Sequence, residues 1–331
     1  MRYTTIGSDP ATARTVSVLA LGAMRFGTTT DEATSYAILD RFAEAGGSFI
    51  DTANNYAYWV NGTLGGESEA LLGRWRRARG VNDEMVIATK VGGRPTTPTN
   101  GPTDRAEGLA PEVLREQAER SRERLGVDRI DLYYAHIPDL WHDTPLADTV
   151  AGFGELVADG TVGLLGLSNF WVWQLERARR LADADGVARA DVFQYHHTYL
   201  RMRTDIGDPR FGQDGEFGIA DGSVLSYLRA EEGTTLVGYS PLLGGGYVRD
   251  DKPLDEAYDH PGTPHRLAAL AGVANETGAT RNQVVLAWML GGELPVVPLV
   301  GVSSLAQLEE ALAAVDLELS GDQRRRLDEA H

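Results

Sequence analysis

Short apolar runs alternate with longer amphipathic stretches along this 331-residue chain. Eight runs are short, apolar and β-prone, and polar or glycine-containing turns flank them, at 18–21, 48–50, 85–89, 130–135, 161–167, 191–194, 235–238 and 296–300. Helical patterns fall between them at 31–45, 66–79, 111–125, 145–159, 171–185, 222–232 and 264–290, the last interrupted at Gly278. Asp31 opens the first of these and Gly46-Gly47 closes it, with Ala33, Ala37, Ile38, Phe42 and Ala45 predicted to share its inner face. Pro111 and Gly126 bracket the third as a start and a stop of the expected kinds.

Strands alternating with helices call for a parallel sheet, and eight such units predict closure into a (β/α)8 barrel. The alternative is an open doubly wound sheet, against which no Gly-x-Gly-x-x-Gly follows the first strand. Ahead of the barrel, residues 2–16 predict a hairpin turning at Gly7-Ser8-Asp9-Pro10 and covering the barrel's bottom. Behind it, 306–331 predict two helices joined at Leu319-Ser320-Gly321-Asp322. No linker or change of composition divides the chain, so a single domain over 1–331 is expected. The connections at 91–110, 195–221 and 240–262 are long, and each follows a strand. In a barrel they gather at the C-terminal face, where binding is done; the second carries Arg201, Arg203 and Arg210.

Three successive strands finish at an ionisable residue: Asp51, Lys90 and His136, with Tyr56 five positions beyond the first. As parallel neighbours these strands would bring all four groups to one sheet edge. A carboxylate at the end of a buried strand is costly unless it is paired. Of 31 basic residues only Lys90 and Lys252 are lysine, so an ammonium at position 90 points to chemistry that needs a compact, tunable charge. A tyrosine titrates at about 10 when unperturbed, and a neighbouring ammonium favours its phenolate and is expected to lower that value.

Composition narrows the partners. A net charge of −17 argues against nucleic acid or an anionic membrane surface. No apolar run reaches membrane-spanning length and the N-terminus lacks the apolar core of a signal peptide, so a cytoplasmic address is expected. The absence of cysteine excludes disulfides and thiolate metal sites. His196 and His197 are adjacent on a strand and face opposite ways, so no metal site is expected there.

Asp51-Thr52-Ala53-x-x-Tyr56, Thr89-Lys90 and His136-x-Pro138-Asp139, in that order, resemble the signatures of the aldo-keto reductases. The resemblance runs from Gly22 to about Ala311. It implies hydride transfer between a nicotinamide cofactor, NADP(H) or NAD(H), and a small carbonyl or alcohol substrate. Tyr56 would be the general acid, tuned by Lys90 and Asp51, with His136 orienting the carbonyl. It also implies cofactor contacts at Gly22 and Met24, at Ser168 and Asn169, at Gln194, and at Tyr239, Ser240, Pro241, Leu242 and Gly244. The adenosine end would fall on Gly301, Ser303, Ser304, Gln307 and Glu310. There the chain departs from the family pattern: no Arg or Lys stands where NADPH-preferring members place one, and Ala311 replaces the usual asparagine. NADPH and NADH both remain open. An NAD-linked sugar or alcohol dehydrogenase, or a cofactor-sensing protein on the same fold, is the alternative. Trp59, Trp141, Phe170, Trp171 and Trp173 follow strand ends; each singly reads as helix–barrel packing, while one or two of the group are expected to touch substrate in an apolar pocket.

Overall fold

The computed structural model describes residues 1–101, 103, 105–206, 215–294 and 296–331; Arg210 lies outside them. Strands β1 (Tyr3–Ile6) and β2 (Arg14–Ser17) form an antiparallel hairpin. The barrel strands are β3 (Ala20–Gly22), β4 (Phe49–Asp51), β5 (Val86–Val91), β6 (Ile130–Ala135), β7 (Val162–Ser168), β8 (Ala190–His196), β9 (Thr235–Tyr239) and β10 (Val296–Gly301). They close in sequence order, with β10 pairing both β9 and β3, and all of these pairings are parallel. Around them stand α1 (Glu32–Glu44), α2 (Tyr58–Asn61), α3 (Glu67–Arg79), α4 (Pro111–Leu125), α5 (Leu146–Ala158), α6 (Val172–Asp185), α7 (Gly222–Ala230), α8 (Thr263–Thr277), α9 (Arg281–Leu290), α10 (Leu305–Ala313) and α11 (Gly321–Glu329). The expected barrel, hairpin and terminal helices are all present.

Local chemistry sets the boundaries. Asp31 caps α1 by accepting from the Thr34 N–H at 2.9 Å. Thr280 with Gln283, and Ser320 with Gln323, form capping boxes at the starts of α9 and α11. Gly278 ends α8 at φ 67°, which produces the predicted break. The inner face of α1 differs from expectation: Ser35, Ile38, Leu39 and Phe42 are buried, while Ala33 and Ala37 are exposed. Ile38, Leu39 and Phe42 bury more apolar area than alanines would, the Ser35 hydroxyl beside them donates to Asp31 O at 2.7 Å, and Ala33 and Ala37 are left facing solvent.

Side-chain alternation along the strands places the site. Phe49, Val86, Ala88, Leu132, Tyr134, Leu164, Val192, Val237, Val297 and Leu299 form one cluster inside the barrel, together with Ile6 and Val16 from the hairpin. Ile87, Val91, Tyr133 and Phe193 belong instead to clusters packed under the helices. Continuing the inward parity one step toward the C-terminal edge reaches Gly22, Asp51, Lys90, Ser168, Gln194, Tyr239 and Gly301, with His136 just past β6. The hairpin plugs the opposite end. None of the described helices is long and apolar enough to cross a membrane.

Candidate functional site

Asp51 and Lys90 are completely buried side by side in the barrel. The three N–H groups of Lys90 go to Asp51 Oδ1, to Thr52 O at 2.8 Å and to Tyr56 Oη at 2.8 Å. Gln194 Nε2 donates to the other carboxylate oxygen, Asp51 Oδ2, at 2.8 Å. Each buried charge is thus answered, which the cost of leaving one unpaired requires. Because Lys90 already donates to the phenol oxygen, the hydrogen of Tyr56 has only the long 3.4 Å contact to Asp51 Oδ1 within the cluster. It is therefore available to a group arriving from the mouth. His136 presents its ring edge-on to Tyr56, with centroids 5.8 Å apart and planes at 75°.

Burial dominates the titration of this cluster. It pushes the Tyr56 phenol well above its ordinary value, and the negative charge of Asp51 pushes the same way. This reverses the direction expected from Lys90 alone, because desolvation of a phenolate outweighs one ammonium whose own charge is engaged by a carboxylate. The phenol consequently keeps its proton at neutral pH. Burial also lowers Lys90, against the pull of Asp51. His136 is pushed down to about 3, by burial first and by the Lys90 charge second, so its imidazole is neutral. Its Nδ1 is buried without a hydrogen-bond partner among the described residues.

The positions expected at the nicotinamide end are joined to this cluster. Ser168 Oγ donates to Gln194 O at 2.9 Å. Asn169 Nδ2 donates to His136 O at 2.9 Å and to Ser168 Oγ at 3.1 Å, while its Oδ1 accepts from Tyr239 Oη at 2.9 Å. Among the described residues four non-glycine residues have positive φ: Ala57 (69°), Asn169 (63°), Ser240 (54°) and Leu243 (51°). All four lie in loops leaving the C-terminal ends of β4, β7 and β9, and each conformation costs on the order of 1 kcal/mol, which surrounding contacts must offset. Pro241 O accepts from Thr198 Oγ1 at 2.6 Å. Leu242 packs at the edge of the core, Gly244 has φ 62°, and Met24 is exposed on the loop after β3. Gly22 pairs with Asp51 on one side and Gly301 on the other.

At the far end, Ser303 N–H and Oγ both donate to Gln307 Oε1, at 2.7 and 3.1 Å. Ser304 Oγ caps α10 by accepting from the Gln307 N–H at 3.3 Å. Glu309 pairs with Arg41 at 2.5 Å, and Glu310 accepts from Thr280 Oγ1 at 2.6 Å and Asn282 Nδ2 at 3.1 Å. Arg249 is paired with Asp251, and Arg281 donates to Tyr247 O at 3.3 Å.

Other expectations resolve differently. Asp139 acts on the loops: its oxygens accept from the N–H groups of Leu109, Trp141 and His142 at 3.0–3.2 Å and from Thr144 Oγ1 at 2.7 Å. Phe170 is buried in the helix–barrel core, whereas Trp173 faces solvent beneath the Arg177 guanidinium. Trp171 lies 5.4 Å from Phe217, and Trp59 is 37% exposed on α2, directly after the Tyr56 turn. His196 Nε2 meets Tyr258 Oη at 3.1 Å, while His197 stacks on Trp288, so the two rings diverge as strand alternation requires. Two features went unread in the sequence. One is the Gln194 bond to Asp51, for which strand parity was the available signal. The other is Glu107, which accepts from Asn54 Nδ2 and the Gly92 N–H, both at 2.8 Å. It sits inside a long loop, where spacing carries no signal.

The sequence profile of the Aldo/keto reductase family matches residues 18–331. The chain is 30% identical over 330 residues to the uncharacterized oxidoreductase YrpG of Bacillus subtilis, covering 99% of this chain and 95% of that one. It is 31% identical over 324 residues to the norsolorinic acid reductase stcV of Emericella nidulans, covering 93% and 76%. Among solved structures, a thermostable aldo-keto reductase in complex with the inhibitor epalrestat superposes with a TM-score of 0.74 at 25% identity, covering both chains completely.

Proposed function

The chain belongs to the aldo/keto reductase family, and on that premise we propose that it interconverts aldehydes or ketones with their alcohols, with Tyr56 handling the proton at the substrate oxygen. The observation that carries this reading is the phenol oxygen 2.8 Å from Lys90 Nζ, with Lys90 anchored on Asp51. A carbonyl oxygen entering between Tyr56 and His136 takes the phenolic proton as negative charge develops on it. The phenolate left behind is stabilised by the Lys90 N–H already directed at it, and Asp51 keeps that ammonium charged. His136, neutral, donates one N–H to the same oxygen and orients it. In the reverse direction Tyr56 accepts the alcohol proton.

The family's cofactor, NADP(H) or NAD(H), supplies or takes up the hydride when bound. The residues fit such a group: Asn169, Ser240 and Leu243 hold strained backbone at the edge of the site. A side chain at Gly218 would also come within 2.8 Å of Asn169 Oδ1. Ser168, Asn169, Gln194 and Tyr239 would hold the nicotinamide end. Ser240, Pro241, Leu242 and Gly244 would follow the pyrophosphate, and Gly301, Ser303, Ser304 and Gln307 the adenosine ribose. Glu310, engaged by Thr280 and Asn282, supports that segment from behind. With no cation in 301–311, weak discrimination between NADPH and NADH is expected.

Tyr56→Phe keeps the ring and removes the proton. Its turnover of aldehydes and ketones is expected to fall about 10²- to 10⁴-fold with cofactor binding retained. Activity within about threefold of wild type, some 0.7 kcal/mol in barrier, would remove Tyr56 from the chemistry.

A further inference from the structure

Glu107 lies on the returning leg of the 91–110 connection, a leg pinned by the Pro95–Ala106 bridge and by its own N–H donating to Arg94 O at 2.9 Å. Its Oε1 accepts from Asn54 Nδ2 and from the Gly92 N–H, both at 2.8 Å. Gly92 stands two positions past Lys90, and Asn54 two positions before Tyr56. The carboxylate therefore ties the backbone just beyond the lysine to the turn that carries the phenol.

That turn is fastened below as well. The Thr52 N–H donates to Ala88 O at 2.8 Å, and the Asn54 N–H to Lys90 O at 3.1 Å. On its other side Gly65, at φ 87°, lies so close to the Asn54–Asn55 peptide that a Cβ would come within 2.7 Å of it. The Asn54 side chain is fully buried, and among the described residues its Nδ2 reaches, apart from Glu107, only Gln117 Oε1, at a long 3.4 Å. Without Glu107 a buried amide would lose its main acceptor and the turn its link to the loop.

We propose that Glu107 is a positioning residue, which through Asn54 holds the 52–57 turn so that Tyr56 Oη stays on Lys90 Nζ. The proposal rests on the reading of Tyr56 as proton donor. It makes the long loop after β5 part of the apparatus that sets the geometry of the proton donor, in addition to any contact it makes with substrate.

The test compares Glu107→Ala, Glu107→Gln, Asn54→Ala and the Glu107→Ala/Asn54→Ala pair with wild type and Tyr56→Phe. A displacement of about 1 Å at a reacting group costs on the order of 10²-fold, so kcat of Glu107→Ala is expected to fall roughly 10- to 100-fold. Cofactor affinity by fluorescence titration and KM for the carbonyl should each change less than about threefold, since the loss is confined to the chemical step. Glu107→Gln retains an oxygen for both donors and should recover most of kcat. The pair should be no worse than either single change, because both remove one link. Should Glu107→Ala not accumulate as folded protein, Asn54→Ala carries the same expectation. A lowered melting temperature with wild-type kcat in Glu107→Ala or Asn54→Ala overturns the proposal while Tyr56→Phe stays inactive. Retained activity in Tyr56→Phe removes the premise instead.

Discussion

Lys90 is enclosed on every side from which its ammonium donates: a carboxylate, a backbone carbonyl and a phenol oxygen take its three hydrogens. Lys90→Arg preserves the charge but brings a planar fork into a completely buried space shaped for a compact point charge. The guanidinium cannot meet all three acceptors, so kcat is expected to fall at least about 10²-fold, with a shifted tyrosine limb in the pH–rate profile. A mutant with a wild-type profile would reduce Lys90 to a structural ion pair. At the other end of the site, Glu309 is engaged by Arg41 and Glu310 by Thr280 and Asn282, so a new cation there meets no free carboxylate from either. Ser303→Arg is therefore expected to tighten NADPH but not NADH. The gain should be roughly one to two decades, the value of a charge-assisted bond to phosphate, read by fluorescence titration of both cofactors. A wild-type preference for NADPH already above about a hundredfold would mean that a cation such as Arg249 or Arg281 reaches the phosphate. At this scale the sequence was legible where a strand ends on an ionisable residue, as at Asp51 and Lys90. The direction of the Tyr56 shift was not, because burial is a tertiary quantity and here it outweighs the nearest charge.

The hairpin β1–β2 closes one end of the barrel, and the loops that carry the proposed site leave the other. Ile6 and Val16 are fully buried against Phe49, Val86, Leu132 and Leu164, at the end of the barrel away from Tyr56. Asp191 secures the turn by accepting from the Ser8 N–H at 2.9 Å and from Arg179 Nη1 at 2.8 Å. Ile6→Ala is expected to lower unfolding free energy by about 2–5 kcal/mol, measured by urea denaturation, while kcat and cofactor affinity stay at wild-type values. A loss of turnover in proportion to the loss of stability would show that the plug shapes the site. Element boundaries were readable because caps announce them, as at Asp31, Pro111, Gly126 and Gly278. The Glu107 tie was unreadable for the complementary reason: hydrogen bonds from a long loop obey no period.

The whole molecule carries a pH dependence that the site alone does not reveal. His197, stacked on Trp288, is pushed down to about 4 by burial, and His136 to about 3. Unfolded, each titrates near 6.5. Between those values the unfolded chain binds a proton that the folded chain refuses, so stability is fully present above about 6.5 and is lost as pH falls toward 4. Glu107 and Asp131, raised by burial, act oppositely: the fold holds their protons at higher pH than the unfolded chain does, and their contribution declines as pH rises. The net charge of −17 also shrinks on acidification, which relieves self-repulsion and favours the fold. The histidines are thus the groups expected to weaken the protein in mild acid. His197→Phe keeps a ring on Trp288, lies outside the Asp51–Tyr56–Lys90–His136 cluster and cannot take up a proton. Its unfolding free energy, followed by urea denaturation from about pH 7 to 4.5, should fall less steeply than that of wild type by about one proton. Parallel curves for the two proteins would mean that His197 titrates alike in both states, and that its burial in the fold exerts no hold on its charge.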